Sequence, residues 1–200
     1  MSSDAPTLTL SLNAFIRIYS MDTARQIAEV ARRMQPSAGY DFYRSLNMAI
    51  QAHIAQKSQD ELDYILNKSS RPGEVSYNKT AFSTFISKFG KKKKIYKFEK
   101  KGSLSLADGR LVIRVSPQFM VENAGVMSVY HVWAMQNPQM DKARASCACY
   151  ILQEAFKKTA PNYEYKLFDA VSGKVYSGTN NTAALAVDSV AENMAKWAAM

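Results

Sequence analysis

The sequence predicts an α+β protein, with a helical N-terminal lobe followed by a largely antiparallel β-sheet that has two helices packed on one face. Before Gly90 the apolar residues recur mainly with the 3.6-residue period of helices, and after it they recur mainly with the two-residue period of strands. The chain has 200 residues, 47% of them hydrophobic, which is enough material for a packed core. We expect a helical lobe over residues 1–90 and an α+β sheet domain over residues 91–200, with one continuous domain as the alternative.

The N-terminal half begins with a short alternating segment and continues with four predicted helices. Residues 7–12 alternate apolar and polar side chains and predict an edge strand, with the start of a helix through Ile16 as the alternative. Helices are predicted over 22–34, 41–56 and 58–67, the last of which opens with a Ser58–Glu61 capping box. A fourth helix carries an apolar stripe that ends at Phe89, and the turn-like segment 68–74 before it is the predicted mobile loop.

The C-terminal half alternates between strand and helix patterns. Asp108-Gly109 separates two alternating runs and predicts a hairpin turn, since both central residues of a type I′ turn need positive φ. Residues 128–135 are apolar on both faces, which predicts a central strand, and Pro117 ends the strand that precedes it. The other predicted elements are strands near 96–98, 104–106, 111–115, 163–168 and 174–176, and helices over 141–158 and 183–197.

Positive charge is concentrated in one short segment. The formal net charge is +9, and residues 90–101 contain seven lysines and one glutamate, which account for +6 of it. Such a cluster favours an anionic partner, because lysine ammonium groups neutralise phosphates while aromatic side chains between them can stack on bases. The predicted nucleic-acid-binding residues are Lys91, Lys92, Lys93, Lys94, Tyr96, Lys97, Lys100, Lys101, Arg110 and Arg114.

The lysine cluster also has a structural explanation. Lysines that follow a helix C-terminus complement its dipole, and lysines along a sheet edge prevent edge-to-edge association. In that case the open sheet face or a groove in the helical lobe would dock a partner, and the chain would be a protein-interaction or assembly subunit. Its partner would be an acidic protein or a second copy of the chain.

The sequence carries no established catalytic or metal-binding motif. His53 and His131 lie on apolar stripes, which is typical of hydrogen-bonded core side chains rather than of ligands or bases. Cys147 and Cys149 are two residues apart on a predicted helix, so they are poorly placed for a disulfide and lack a second pair at metal spacing. We therefore expect no metal and no cofactor.

Two Glu-x-Lys triplets, Glu99–Lys101 and Glu164–Lys166, place a carboxylate and a lysine on one face of a strand, as metal-dependent nucleases do. Neither has the further acid that such a site needs on an adjacent strand end. An ordinary ion pair is the simpler interpretation.

The N-terminus has neither the basic nor the apolar region of a signal peptide, and no run of about 18 apolar residues occurs. These features predict a cytoplasmic protein without a membrane partner.

Several short segments together form a recognisable pattern. They are Tyr40–Leu46, Ser76–Asn78, Phe89–Lys92, Leu111–Pro117, Leu167–Asp169 and Gly173–Lys174. Over roughly residues 40–178 the chain resembles a group of uncharacterised bacterial proteins that share a helical front half and a strand-rich back half. The resemblance implies a cytosolic protein of bacterial type and carries over no activity, cofactor or site.

The leading functional prediction is a non-enzymatic module that binds DNA or RNA on a basic β-face, through phosphate contacts and with little sequence specificity. The protein-interaction subunit is the first alternative, and a metal-dependent nuclease is the second.

Overall fold

The computed structural model describes residues 7–35 and 40–200, and these form seven helices and eight strands. Helices and strands both contribute substantially, which confirms the predicted α+β class. In chain order the elements are β1 (Leu8–Ser11), α1 (Leu12–Tyr19), α2 (Thr23–Met34), α3 (Arg44–Ile54), α4 (Gln59–Leu66), α5 (Pro72–Phe89), β2 (Ile95–Lys97), β3 (Gly102–Leu106), β4 (Leu111–Val115), β5 (Phe119–Asn123), β6 (Val126–Trp133), α6 (Lys142–Phe156), β7 (Glu164–Asp169), β8 (Val175–Ser177) and α7 (Ala183–Ala198).

The strands form two sheets, not the single sheet that was predicted. One has the order β1-β4-β3 and the other β2-β5-β6-β7-β8. The pairs β1–β4 and β6–β7 are parallel and the other four pairs are antiparallel. The chain changes sheets after β4 at Pro117, which has no amide proton for the hydrogen-bond ladder. Helix α6 contacts strands of both sheets and buries its apolar side chains with theirs in one core.

The five-stranded sheet is covered by helices on both faces, and the predicted arrangement, with two helices packed on one face, is not confirmed. On one face Val129, Trp133 and Leu167 share a core with α6. Alternate residues of the same strands, including Val132 and Phe168, share a second core with α3, α4 and α5. Strand β6 lies in the middle of the sheet order and is buried from Ser128 to Trp133, which confirms the predicted central strand.

Aromatic side chains attach the N-terminal helices to this sheet. The ring centroid of Phe85 lies 5.3 Å from that of Phe119, and Phe89 lies 4.9 Å from Phe119 and 5.0 Å from Phe168. Strand β1 also pairs with β4 along its whole length. Contacts therefore cross residue 90, where the sequence predicts a boundary between two domains, and the division itself stays a prediction.

Several local predictions are confirmed and others need correction. The Ser58–Glu61 capping box is present, and both the strand and the helix proposed for the N-terminus form, one after the other. Part of the predicted loop 68–74 is instead the first turn of α5, because Pro72 occupies the first helical position, where a missing amide proton costs nothing. Strand β5 was not predicted. Of the described residues, none belongs to a helix with the length and hydrophobicity that crossing a bilayer requires.

Candidate functional site

The predicted lysine run lies at the edge of the five-stranded sheet. Lys91, Lys92 and Lys93 connect α5 to the edge strand β2, and they are exposed and make no ion pair with any residue in the described ranges. Lys94 pairs with Glu122 on the neighbouring strand β5. Tyr96, on β2, is 41% exposed.

The other predicted cations are divided among three places. Arg110 already has hydrogen-bond partners within the fold: it donates to Glu192 of α7 at 3.1 Å and to the Ala107 carbonyl at 3.0 Å. Arg114, at the other end of β4, lines a cleft that we call the first cleft. Lys97, Lys100 and Lys101 line a separate cleft next to it. The ten predicted residues therefore do not form one continuous β-face.

The first cleft has a volume of about 940 Å³ and is formed where α1, α2, β4 and the segment before α3 meet. Its lining is rich in arginine, amide and aromatic side chains, with one acidic residue. The lining residues are Ser11, Leu12, Asn13, Ala14, Arg17, Arg33, Tyr40, Asp41, Phe42, Tyr43, Asn47, Tyr77, Arg114, Ser116, Gln118, His131, Met135, Gln136 and Asn137.

Strand pairing positions Arg114 beside the start of α1. In the parallel β1–β4 pair, Ser11 is the register partner of Arg114, and both are exposed while Leu10 and Ile113 beside them are buried. Ser11 is also the N-cap of α1, accepting a hydrogen bond from the Ala14 amide at 3.2 Å. The backbone of Arg114 therefore lies beside the positive end of the α1 dipole, and α1 has no acidic residue in its first turn.

Glu29 organises the arginines that α1 and α2 bring to this cleft. Its carboxylate accepts from Arg32 at 2.7 and 2.9 Å and from Arg33 at 3.0 Å, and it lies 3.8 Å from Arg17. Hydrogen bonding by Arg32, with further support from Arg33 and Arg17, lowers the pKa of Glu29 to about 2, although burial opposes this. One carboxylate thus serves three guanidinium groups, and the cluster keeps a net positive charge.

His131 is a buried member of the cleft lining. It is 5% exposed, and its Nε2 lies 2.8 Å from the Asn13 side-chain oxygen. Burial lowers the pKa of His131 to about 4, so the ring is neutral at physiological pH. Its Nδ1 makes no hydrogen bond of normal geometry with the described residues. The prediction of a hydrogen-bonded core histidine is confirmed for this residue.

Aromatic side chains form part of the wall of the first cleft. The rings of Phe42, Tyr43 and Tyr77 contact one another with centroids 5.1 to 6.0 Å apart. Asn78, fully buried in α5, donates to the Phe42 carbonyl at 2.8 Å and fixes the start of α3. Burial raises the pKa of Tyr43, and nearby Arg17 opposes this, which places the aromatic wall within electrostatic range of the arginines.

The second cleft adjoins the first. It has a volume of about 290 Å³, and it shares Asn47, Ser116 and Gln118 with the first cleft. Gln118 is held firmly at this junction, because its side chain accepts from the Val132 amide at 2.6 Å and donates to the Ser116 carbonyl at 3.0 Å. We call the two adjoining clefts together the basic groove. Its cationic side chains are Arg17, Arg33, Arg114, Lys97, Lys100 and Lys101, and its acidic ones are Asp41 and Glu99.

The Glu-x-Lys triplets do not gather into a metal site. Glu164 pairs with Lys166 at 2.7 Å and accepts from Ser128, whereas Glu99 pairs with Lys97 at 3.2 Å. The ion-pair interpretation is confirmed for Glu164–Lys166, whereas the partner of Glu99 is Lys97 and not Lys101. Across residues 7–35 and 40–200, no three His, Cys, Asp or Glu side chains are placed to hold a metal ion together.

Sequence reasoning missed Arg17 and Arg33 as groove residues. Both lie on predicted or alternative helices whose packing could not be inferred from periodicity. The available signal was Ser11, an N-cap residue directly after the alternating run, since it indicates that a helix with Arg17 on it follows the strand.

Comparisons with known proteins add no functional information. No protein-family model matches the chain, and no curated protein matches it. Among solved structures the chain is similar to the crystal structure of SSO0001, with a TM-score of 0.36 and 8% sequence identity over 90% of this chain and 86% of that one. A similarity this weak carries no argument about fold or function.

Proposed function

We propose that this protein is a non-enzymatic nucleic-acid-binding module that holds a single strand in the basic groove, with phosphate contacts and little sequence specificity. The observation that carries the proposal is that two clefts lined by cations adjoin. Asn47, Ser116 and Gln118 line both clefts, so the cations of the two clefts lie on either side of a shared boundary. We take the protein to act in the cytoplasm, as the sequence predicts.

The charges of the groove suit a phosphate backbone. Six cationic side chains and two acidic ones line it, and Arg114 makes no ion pair within the described part of the chain. Lys100 donates to the Thr159 carbonyl at 3.0 Å, so its ammonium group keeps two further protons for a ligand. Cations that follow a backbone bind it by releasing counterions, which gives affinity without reading sequence.

Aromatic and amide groups in the same groove favour single strands. Phe42, Tyr43 and Tyr77 are partly exposed at the first cleft, where they can stack on unpaired bases. Amide side chains such as Asn47 and Gln118 can hydrogen-bond to sugars or base edges without strong selectivity. In a duplex the bases are already stacked on one another, so this wall would contribute little.

The proposed site and the site predicted from the sequence share only some of their residues. It keeps Lys97, Lys100, Lys101 and Arg114 and adds Arg17 and Arg33. The groove lining does not include the rest of the predicted set, which is Lys91, Lys92, Lys93, Lys94, Tyr96 and Arg110.

This difference defines the experiment. Binding of a labelled oligothymidylate of about 12 nucleotides is measured by fluorescence anisotropy over a range of salt concentrations. We expect the triple variant K97Q/K100Q/K101Q to bind at least about tenfold more weakly and to reduce the slope of log K against log salt by about 2, since each phosphate contact on a single strand contributes roughly 0.7.

The matched control is K91Q/K92Q/K93Q, which removes the same charge outside the groove. We expect it to change affinity by less than about threefold, because distant exposed charges are screened by salt. Equal losses in the two triple variants would mean that charge alone, and not the groove, determines binding. No binding by the wild-type protein at low salt, to single or double strands, would refute the proposed function. Displacement by polyglutamate as readily as by nucleic acid would instead favour an acidic protein partner.

A further inference from the structure

We infer that the first cleft of the basic groove binds the terminal phosphate monoester of a nucleic-acid strand, and that Arg114 is the residue that recognises it. The inference rests on the proposed function and adds an end specificity to it. It concerns one end of the groove, where the guanidinium groups are, and not the lysines of the second cleft.

The side chain of Arg114 is available to bind an anion of high charge. It is exposed beside Ser11 at the start of α1, and its guanidinium pairs with no carboxylate in the described parts of the chain. The first backbone amides of a helix point outwards without internal partners, and they favour phosphate groups. A phosphate at this position would receive hydrogen bonds both from the planar guanidinium group of Arg114 and from the backbone amides at the start of α1.

Arg17 and Arg33 add charge to the same cleft. Both are partly buried, with 39% and 27% of their side chains exposed, and Glu29 fixes their positions. Since Arg32 uses the same carboxylate in a two-pronged hydrogen bond, Glu29 cannot neutralise the cluster. The orientation of the Arg33 guanidinium is therefore set before any ligand arrives, and Arg17 is held near the same carboxylate.

His131 gives an independent indication of a polar ligand. It lines the first cleft and is 5% exposed, and its Nδ1 makes no hydrogen bond of normal geometry with the described residues, although contact with the Ser116 backbone partly offsets the effect of burial on the pKa of the ring. Buried polar atoms in folded proteins are nearly always satisfied, and the exceptions concentrate where water, an ion or a ligand completes the site.

The charge of the ligand distinguishes a strand end from its interior. A phosphate monoester carries a charge of about −1.5 to −2 at neutral pH and three free oxygens, whereas an internal phosphodiester carries a single charge and two free oxygens. Three guanidinium groups and a helix N-terminus in one cleft match the monoester. The second cleft contributes only lysines, which act as separate point charges.

The positive lining also ends at the first cleft. A further cleft of about 310 Å³ shares Tyr77 and Gln136 with it, and none of the described residues that line this further cleft is charged. A strand that runs along the lysines would therefore find its last strong phosphate contact at Arg114. Its terminal base would lie against the wall of Phe42, Tyr43 and Tyr77.

The test compares oligothymidylates of one length, about 12 nucleotides, that carry a 5′-phosphate, a 3′-phosphate or two hydroxyl ends. We expect the wild-type protein to bind one of the phosphorylated strands about tenfold more tightly than the hydroxyl strand. R114Q should reduce that ratio to about one while weakening the hydroxyl strand less than threefold. Arg114 is an exposed strand residue, so the variant should fold normally, and its melting temperature is checked first.

Two control variants separate end recognition from general binding. R110Q removes the same charge from the other end of β4, where Arg110 pairs with Glu192. It should leave unchanged the ratio between the affinities for the phosphorylated strand and the hydroxyl strand. K100Q should weaken the binding of all three strands equally and also leave this ratio unchanged.

Thymidine monophosphate as a competitor distinguishes a free nucleotide from a strand end: displacement that depends on Arg114 supports the same monoester site. If all three strands bind wild-type protein equally well, the inference fails while the proposed function stands. If none binds, both fail.

Discussion

At the residue scale, Glu29 determines how the arginines of the basic groove are arranged. It is 8% exposed, yet it accepts charge-assisted hydrogen bonds from two consecutive helical arginines and attracts a third from α1. Buried carboxylates are costly unless they are paired, so the contacts of Glu29 contribute both to stability and to positioning. The contribution of Glu29 to stability can be measured separately from its role in positioning the arginines, because only the stability depends on the unfolded state as well as on the folded one.

The lowered pKa of Glu29 predicts a pH-dependent stability. The folded pKa is about 2 against an ordinary value of 4.5, so the stabilisation is complete above about pH 4.5 and is lost as the pH falls towards 2. The full shift corresponds to at most about 3 kcal/mol, and the solvent exposure of the arginines reduces our expectation for E29Q to about 1–2 kcal/mol at pH 7. Urea unfolding of wild type and E29Q at pH 7 and pH 3 measures both values.

Glu61 offers the matched control for this measurement. It also receives hydrogen bonds from a cationic and a hydroxyl side chain, Lys57 and Ser58, but its side chain is 50% exposed. E61Q should change the free energy of unfolding by less than E29Q does, since exposed pairs contribute little. A difference between wild type and E29Q that stays constant from pH 7 to pH 3 would contradict the role assigned to the Glu29 carboxylate.

At the element scale, the β3–β4 hairpin contains two glycines that are required for different structural reasons. Gly109 lies in the loop with φ of +83°, and a Cβ there would meet only the Ser105 hydroxyl oxygen at 3.9 Å. Gly102 begins β3, where a Cβ would lie 2.9 Å from both the Ala155 carbonyl oxygen and the Phe156 ring of α6. The first glycine is required by the backbone conformation and the second by the close approach of a helix.

The two substitutions should therefore differ in size. G109A should lower the free energy of unfolding by about 1 kcal/mol, the cost of a left-handed conformation for alanine. G102A should cost about 2 kcal/mol or more, since α6 must move away from β3. Chemical denaturation of both variants checks the order, and the opposite order would mean that α6 is not packed tightly on the hairpin.

The hairpin also illustrates how far the sequence predicts elements. The Asp108-Gly109 signal located it correctly, but the loop has four residues, because Leu106 and Leu111 are register partners and positive φ begins at Ala107. Strand β5 was missed, although Phe119 and Val121 alternate with Met120 and Glu122, and Gly125 follows. Short elements depend on their neighbours for stability, and that information is not local.

The functional site was harder to predict than the elements. Local charge density identified Lys97, Lys100 and Lys101, which do line the groove, but it also selected Arg110, whose partner Glu192 is 82 residues away. Arg17 and Arg33 lie in segments without a charge cluster and reach the groove only through helix packing. Charge predicts the class of a partner, whereas tertiary contacts decide which cations are available to it.

At the scale of the whole molecule, the described residues form two apolar cores on opposite faces of the five-stranded sheet. One core contains β1, β4 and α6, and the other contains α3, α4 and α5 with β5, β6 and β7. Strand β6 contributes alternate side chains to both, with Trp133 in the first and Val132 in the second. Loss of either core exposes one face of the same strand, so we expect the two to unfold together.

This coupling predicts a single unfolding transition across the proposed domain boundary. Tryptophan fluorescence follows Trp133 and Trp197 in the C-terminal half, and far-ultraviolet circular dichroism follows the helices, most of which lie before residue 90. F85A, on α5, removes a ring that contacts Phe119 and Phe168, and it should cost about 4 kcal/mol. Its midpoint should shift equally by both probes, whereas L185A, at a side chain 72% exposed, should shift neither. A fluorescence midpoint that F85A leaves unchanged would mean that the halves fold independently, as the two-domain interpretation of the sequence requires.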